Sequence, residues 1–266
     1  MLVAAFMEAK KHTALLAFAQ MGQILRQSEE LKLKSTKMQP TIVRAIDRAG
    51  FATIPNVIEP DECAYVFESL NGTALNRSRA GVRHAMRYPI LRALAEDSRV
   101  LDIARGILGE GAFPFRATLF DKSPTSNWLV AWHQDTALPM REKREEDSWG
   151  PWSVKDGVIY AHAPVGVLSQ IVALRIHLDD STIENGPLRV LPGSHREGLL
   201  SDEEIHRLAA EVTAVECPVP RGGILAVRPL IVHASSKSRS EQSRRVLHVE
   251  YAPSRAFADA TGLAAP

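Results

Sequence analysis

The stretch "LIVHASSKSRSEQSRRVLHVEYA", Leu230 to Ala252, decides how this chain is read. Its ends are short runs rich in β-branched and apolar residues, and its middle is serine-rich and polar, so it reads as strand, turn, strand, a hairpin. Neighbours on a strand face opposite ways. Arg245 therefore shares a face with Leu247, Val249 and Tyr251, an apolar set suited to packing under helices. Arg244 shares the other face with Val246, His248 and Glu250, a more polar set suited to the interior of a barrel. His233 lies on the earlier strand, eleven residues before Arg244.

Working outward, the same texture continues back to Gly111. "AFPFRATLF", "NWLVAWH", "VLSQIVALRIHL", "PLRVLP", "AVECPV" and "GILAVR" are short β-like runs separated by Gly, Pro, Asn and Ser. Only "SDEEIHRLAAEV" interrupts them, with Ser201 as a helix N-cap and acids in the first turn. Upstream the pattern is helical. Ile42, Ala45 and Ile46 share a face that Gly50 terminates, "FATIP" is a short strand, and "EPDECAYVFESLNG" is a second helix. Helices first and about eight strands in one later block exclude an alternating α/β fold. The fold class is mainly β with flanking helices, a β-sandwich or jelly roll.

Within that block two stretches carry a histidine and an aspartate two apart: His133 and Asp135 in "VAWHQD", and His177 and Asp179 in "LRIHLDD". Position in the strand order separates them. A jelly-roll metal site pairs an early strand with a late one that lies beside it, and His233 on the next-to-last strand suits the first pair. Asp179 also runs into the turn sequence "DSTIENGPL". Two imidazoles and one carboxylate on one face of iron leave three positions open, as a non-haem Fe(II) oxygenase requires. A 2-oxo dicarboxylic acid bound there also needs a planar guanidinium for its far carboxylate, a role for Arg244. Ser235 shares a face with His233; its hydroxyl serves the same carboxylate or caps a loop.

Composition narrows the rest. The chain has 266 residues, 45% hydrophobic and 24% charged, with a formal net charge of +1. That supports one sizeable core and gives no electrostatic footprint for nucleic acid or an anionic membrane. Two distant cysteines, Cys63 and Cys217, argue against a disulfide scaffold and for a reducing, cytoplasmic setting. No apolar run is long enough to span a bilayer, and the N-terminus lacks the basic start of a signal peptide. Leu15, Phe18, Met21 and Leu25 recur at helical spacing, and the linker-like "KLKSTKMQP" follows. The expected division is a helical extension over residues 1–37 and a catalytic domain over 38–266.

Together "WHQD", "LDDSTIENGPLRVLPGSH" and "VHASSKSRSEQSRR" resemble the phytanoyl-CoA dioxygenase family of Fe(II)/2-oxoglutarate oxygenases, a likeness running from about Thr41 to Pro253. The resemblance implies a double-stranded β-helix (jelly roll, cupin-like) and Fe(II) on His133, Asp135 and His233. It further implies 2-oxoglutarate anchored by Arg244 with Ser235, and O2 as second co-substrate. Lys122, in "LFDKSPTSNW", matches a position where some members place a lysine near the co-substrate, and is otherwise a surface lysine. Asn185, Gly186, Gly193 and His195 read as architectural. Because Asp135 is present, hydroxylation of a C–H bond in a small-molecule metabolite, with release of succinate and CO2, is expected rather than halogenation. A cupin-like metal-dependent hydrolase or isomerase, or a non-catalytic binding module, are the alternatives. Trp149 and Trp152, in the long segment "TALPMREKREEDSWGPWSVKDG", either fold over the site as a lid or anchor that segment.

Overall fold

The computed structural model describes residues 32–70, 73–78 and 81–265. Ile42–Pro266 form a single compact unit, which carries all the strands and the candidate site. The helix expected over Leu15–Leu25, and with it most of the proposed extension, lies outside the described residues.

Helix α1 spans Lys32–Ala49, so the stretch read above as a linker is helical; lysine, leucine, methionine and glutamine all favour helix. Gly50 ends it with φ of 84°, and its amide donates to the Ile46 carbonyl at 2.9 Å. Strand β1 (Phe51–Ile54), α2 (Pro60–Leu70), the short β2 (Arg77–Ser78) and β3 (Gly81–Val82), α3 (Pro89–Ala95) and α4 (Ser98–Leu108) follow. The remaining strands are β4 (Phe113–Lys122), β5 (Val130–His133), β6 (Ala137–Met140), β7 (Trp152–Lys155), β8 (Val158–His162), β9 (Val172–His177), β10 (Leu188–Val190), β11 (Val215–Cys217), β12 (Ile224–Val227), β13 (His233–Ser235) and β14 (Arg244–Ala252). Helices α5 (Val165–Leu168), α6 (Asp202–Glu211) and α7 (Arg255–Thr261) complete the order.

The large sheet runs β1-β12-β9-β14-β4-β3-β2 and a smaller one β11-β10-β13-β5, each with antiparallel neighbours. Two antiparallel sheets in this order make the double-stranded β-helix. The outer face of the large sheet presents Leu174, Ile176, Leu247, Val249 and Tyr251 to Ile46, Cys63, Leu91 and Ala104 of the helices, as the alternation in β14 requires. Tyr251 donates its hydroxyl to the Ala95 carbonyl at 2.7 Å, satisfying a phenol buried under α3. Leu225 and Val227 of the large sheet meet Leu188, Val190 and Cys217 of the small one and join the two layers.

Two expectations change. The strands β13 and β14 do not form a hairpin: β13 pairs with β10 and β5, β14 with β4 and β9. The serine-rich connection is too long for a tight turn and instead carries the chain from one sheet to the other. The segment from Thr136 to Gly157 is not an open loop either, because β6 and β7 flank β8 in a third, three-stranded sheet. Trp149 is buried there among Met140, Leu138, Leu168 and Phe115, with Trp152 partly buried against them, so both help to anchor the segment on the third sheet.

Helix α6 backs β5 and β13 through Ile205, Val232 and Trp132. Its start is a capping box: Ser201 Oγ accepts from the Glu204 amide at 3.3 Å, and Glu204 Oε2 accepts from the Ser201 amide at 2.8 Å. Replacing Ser201 with alanine is expected to lower unfolding free energy by about 1 kcal/mol, read as a fall in Tm by thermal melting with the fold unchanged.

Candidate metal centre

Strands β5 and β13 pair so that His133 stands directly opposite His233, and their rings lie 4.2 Å apart between centroids. Asp135 lies just beyond the end of β5, where its amide donates to the Pro229 carbonyl at 3.0 Å. That bend turns its carboxylate onto both rings, with Oδ1 3.5 Å from His133 Nε2 and Oδ2 3.5 Å from His233 Nε2. Gln134 points the opposite way, into the protein, donating to Leu230 and Gly198 carbonyls and accepting from the Leu200 amide, which pins the strand end. One ligand atom from each of the three residues falls within 4.8 Å of the others, a spacing that fits a metal ion.

The tautomers suit metal binding. Each histidine sets Nδ1 against the carbonyl two residues before it, His133 to Ala131 at 2.8 Å and His233 to Ile231 at 2.9 Å. Nδ1 must then carry the proton, leaving the Nε2 lone pair free and aimed at the common centre. Burial holds His233 neutral, with its pKa pushed down to about 4. Burial also opposes charge on Asp135 and on His133, but their mutual attraction and that of His233 prevail, holding the carboxyl well below its usual range and raising His133.

Beyond His233 on the same strand, Ser235 faces a second cluster. Lys122 and Arg244 are cross-strand partners on β4 and β14, and both are buried. Lys122 Nζ donates to Ser235 Oγ at 3.1 Å and to the Ser236 carbonyl at 2.7 Å; Ser235 Oγ donates to the Gly186 carbonyl at 2.9 Å. Arg244 Nε donates to the Asn185 carbonyl at 3.2 Å. The turn supplying those carbonyls requires glycine: Gly186 has φ of 67°, and a Cβ on it would sit 2.3 Å from the Ser236 carbonyl oxygen. Burial lowers Arg244 to about 9 and Lys122 to about 7, in each case helped by neighbouring arginines. Among the described residues no carboxylate lies within ion-pair distance of either. Two buried cations without a counterion make a place for a dianion.

Arg245 and Asp179, which belong to the two rival readings of the sequence, face elsewhere. Arg245 lies on the outer face, stacked 3.3 Å over the Phe67 ring and held by Asp179 through Nε at 2.6 Å and Nη2 at 2.8 Å. Asp179 is thereby occupied, so the second histidine–aspartate pair assembles no metal centre. His195 sets Nε2 3.3 Å from the Asp47 carbonyl, against the Gly50 turn, and is architectural as expected. Sequence reasoning missed part of the barrel interior. His248 and Glu250 of β14 point inward as the alternation predicted, but Arg175 and His177 on β9, which the sequence reading did not place there, point inward as well; Arg175 Nη1 contacts His248 Nδ1 at 3.1 Å, and Glu250 pairs with Arg116 of β4. The available signal was polar residues at every second position of otherwise apolar strands.

Fold and site together define a double-stranded β-helix that brings two histidines and one carboxylate to a spacing able to hold a metal ion, with two buried cations on the neighbouring strands. The chain belongs to the phytanoyl-CoA dioxygenase family, whose sequence model matches residues 46–246. It is 31% identical over 192 residues to the L-proline trans-4-hydroxylase of Streptomyces griseoviridis, covering 62% of this chain and 60% of that one. It is 26% identical over 168 residues to the ectoine dioxygenase of Sphingopyxis alaskensis, covering 57% and 48%. The matched segments thus span about half to three-fifths of these relatives. Among solved structures, the epimerase SnoN in complex with Fe3+, alpha ketoglutarate and nogalamycin RO superposes with a TM-score of 0.62 at 19% identity, covering 82% of this chain and 84% of that one. No helix among the described residues is long and apolar enough to cross a membrane.

The two adjacent arginines give opposite predictions. Arg245→Ala removes a partly buried bidentate ion pair and is expected to cost about 1 kcal/mol of stability in a denaturant titration. Arg244→Ala removes a buried cation that has no counterion, so its unfolding midpoint should equal or exceed that of the wild type. For the metal, His133→Ala or His233→Ala should abolish stoichiometric Fe(II) binding measured anaerobically, while His177→Ala should retain it.

Proposed function

We propose that the protein is an Fe(II)- and 2-oxoglutarate-dependent dioxygenase that hydroxylates an unactivated C–H bond of a small-molecule metabolite. His133, Asp135 and His233 would hold the iron; Arg244, Lys122 and Ser235 would hold the distal carboxylate of 2-oxoglutarate. The observation that carries this reading is the coexistence of the two half-sites: a three-donor cluster, and two buried cations with no acid partner among the described residues, joined to it through Ser235 on the strand of His233. A hydrolase or isomerase using the same metal ligands would have no use for the second half.

Bound iron with 2-oxoglutarate and O2 supplies an oxidant able to take hydrogen from an unactivated carbon, releasing succinate and CO2. The chain's own contribution is placement. Ala131 and Ile231 hold each Nδ1 proton and so turn Nε2 towards the centre, and Asp135 keeps one anionic charge there. Arg244 offers a planar pair of donors, Lys122 a point charge and Ser235 a hydroxyl, so a five-carbon dicarboxylate is fixed at its far end. His133 and Asp135 are the exposed side of the cluster, their side chains 39% and 33% accessible, while His233 is buried. Substrate would therefore approach over His133 and Asp135. The relatives named above act on proline and on ectoine, which supports a small metabolite of that size.

The testing experiment is an anaerobic titration of Fe(II)-loaded protein with 2-oxoglutarate, followed by the visible charge-transfer band of a chelated 2-oxo acid. A band that fails to form in the wild type despite bound iron would overturn the reading. Succinate release under O2, driven by candidate metabolites, then identifies the substrate.

Lys122 makes the binding pH-dependent. Its free-state pKa of about 7 rises when a dianion arrives, because negative charge favours the ammonium. Below pH 7 the lysine is already charged and binding needs no proton. Above it, binding takes up a proton, and affinity for 2-oxoglutarate should fall by up to tenfold per pH unit. Calorimetry at pH 8 in buffers of different ionisation enthalpy should show about one proton taken up, and Lys122→Met should show none.

A further inference from the structure

Among the inward-facing residues, His177 is the one that the assignments above leave unexplained. It lies on β9, is 1% exposed, and neither ring nitrogen has a hydrogen-bond partner. An imidazole in that state gives up its hydration for nothing, whereas its cross-strand neighbour in the same row, Val246, carries no polar atom to satisfy. The retained polarity therefore points to a partner that comes and goes.

The surroundings say what kind. Arg175 precedes His177 by one inward-facing position on β9, and Arg244 lies just past Val246 on β14, so a guanidinium stands to either side. Burial and those two charges hold the ring neutral, with a single N–H to donate. The polar ends of Arg175, Arg244 and Lys122 are all donors and cannot accept that hydrogen. An occupant rich in carboxylate oxygens, of the kind that suits Arg244 and Lys122, would supply the missing acceptor.

We propose that His177 is a further co-substrate-binding residue, donating a hydrogen bond to a carboxylate oxygen of the bound 2-oxo acid between the Arg244 end and the metal end. The assignment rests on the 2-oxoglutarate reading above. Position supports it: Arg244 reaches the distal recess, Arg175 lies close enough to Asp135 to feel its charge, and His177 stands between them. His177 thus belongs to the site by a different route from the one its sequence suggested, as a wall residue and not as a metal ligand.

The test is the anaerobic Fe(II) titration with 2-oxoglutarate, run on wild type, His177→Phe and His177→Gln. Phenylalanine keeps the bulk and removes both nitrogens; glutamine restores a donor. The expected result is an Fe(II) affinity unchanged in all three, a 2-oxoglutarate Kd raised about tenfold in His177→Phe, and partial recovery in His177→Gln. A folded His177→Phe protein with wild-type Kd overturns this proposal while leaving the dioxygenase reading intact. A wild type that forms no band overturns the reading itself, and this proposal with it. Should His177→Phe fail to fold, zinc-loaded wild type labelled with 15N-histidine decides. A downfield move of one ring N–H of His177 on adding 2-oxoglutarate supports the bond, and an unmoved resonance overturns it.

Discussion

Alternation along the strands of the large sheet is the constraint on which the rest of the structure depends. One sheet separates two environments that could hardly differ more. Leu247, Val249 and Tyr251 are packed into an apolar core under the helices, while Arg244, His248 and Glu250, one residue out of phase, face the interior of the barrel. Strand β9 repeats the pattern with Leu174 and Ile176 outward and Arg175 and His177 inward. A slip of one residue would drive two arginines and two histidines into hydrocarbon and expose the core to the cavity. The register is therefore specified twice over, by what the helices cover and by what the cavity needs.

The cavity is held at a cost in stability. Lys122, Arg175 and Arg244 have no acid within ion-pair distance among the described residues, and burying such charges costs several kcal/mol apiece even after relaxation. Evidence of the strain is chemical: burial pulls Lys122 towards neutrality and lifts Glu250 to about 7 despite its pairing with Arg116. The helical layer offsets this with an extensive apolar core in which Ile46, Leu91, Val100, Leu174 and Leu247 are fully buried. Function is thus assembled at the least stable face of the sheet and supported by the most stable one.

Much of this was legible in the sequence, and what was not has physical reasons. The order of helices before strands, the two faces of β14 and the partnership of His133 with His233 follow from alternation and strand order, which are local or one-dimensional properties. Arg244 could be told from Arg245 for the same reason. The supposed hairpin failed because a polar connection does not say which sheet its second strand will join; only the pairing partners of β13 and β14 do. The excursion from Thr136 to Gly157 hid three-stranded pairing because β6 and β7 are four residues each and interrupted by a charged run, too short for alternation to register. His177 was set aside as half of a false metal pair. That Asp179 would be taken by Arg245, freeing His177 to face inward without a partner, depends on contacts between residues far apart in the chain.

The two half-sites differ in how they are built, and the difference orders their use. Both histidines sit on one pair of strands in the small sheet, β5 and β13, and Asp135 follows directly from β5. The metal cluster is therefore complete within a single layer and needs nothing from the large sheet. The cationic recess is shared: Arg244 and Lys122 come from the large sheet, Ser235 from the small one, and the Lys122–Ser235 hydrogen bond crosses between them. A dianion placed there is attracted to both layers at once and relieves the repulsion between Lys122 and Arg244. Metal would load onto a preformed edge, whereas the dicarboxylate would tighten the closure of the barrel itself. With a dianion bound, the interior charges that weaken the fold would become ties that hold its two sheets together.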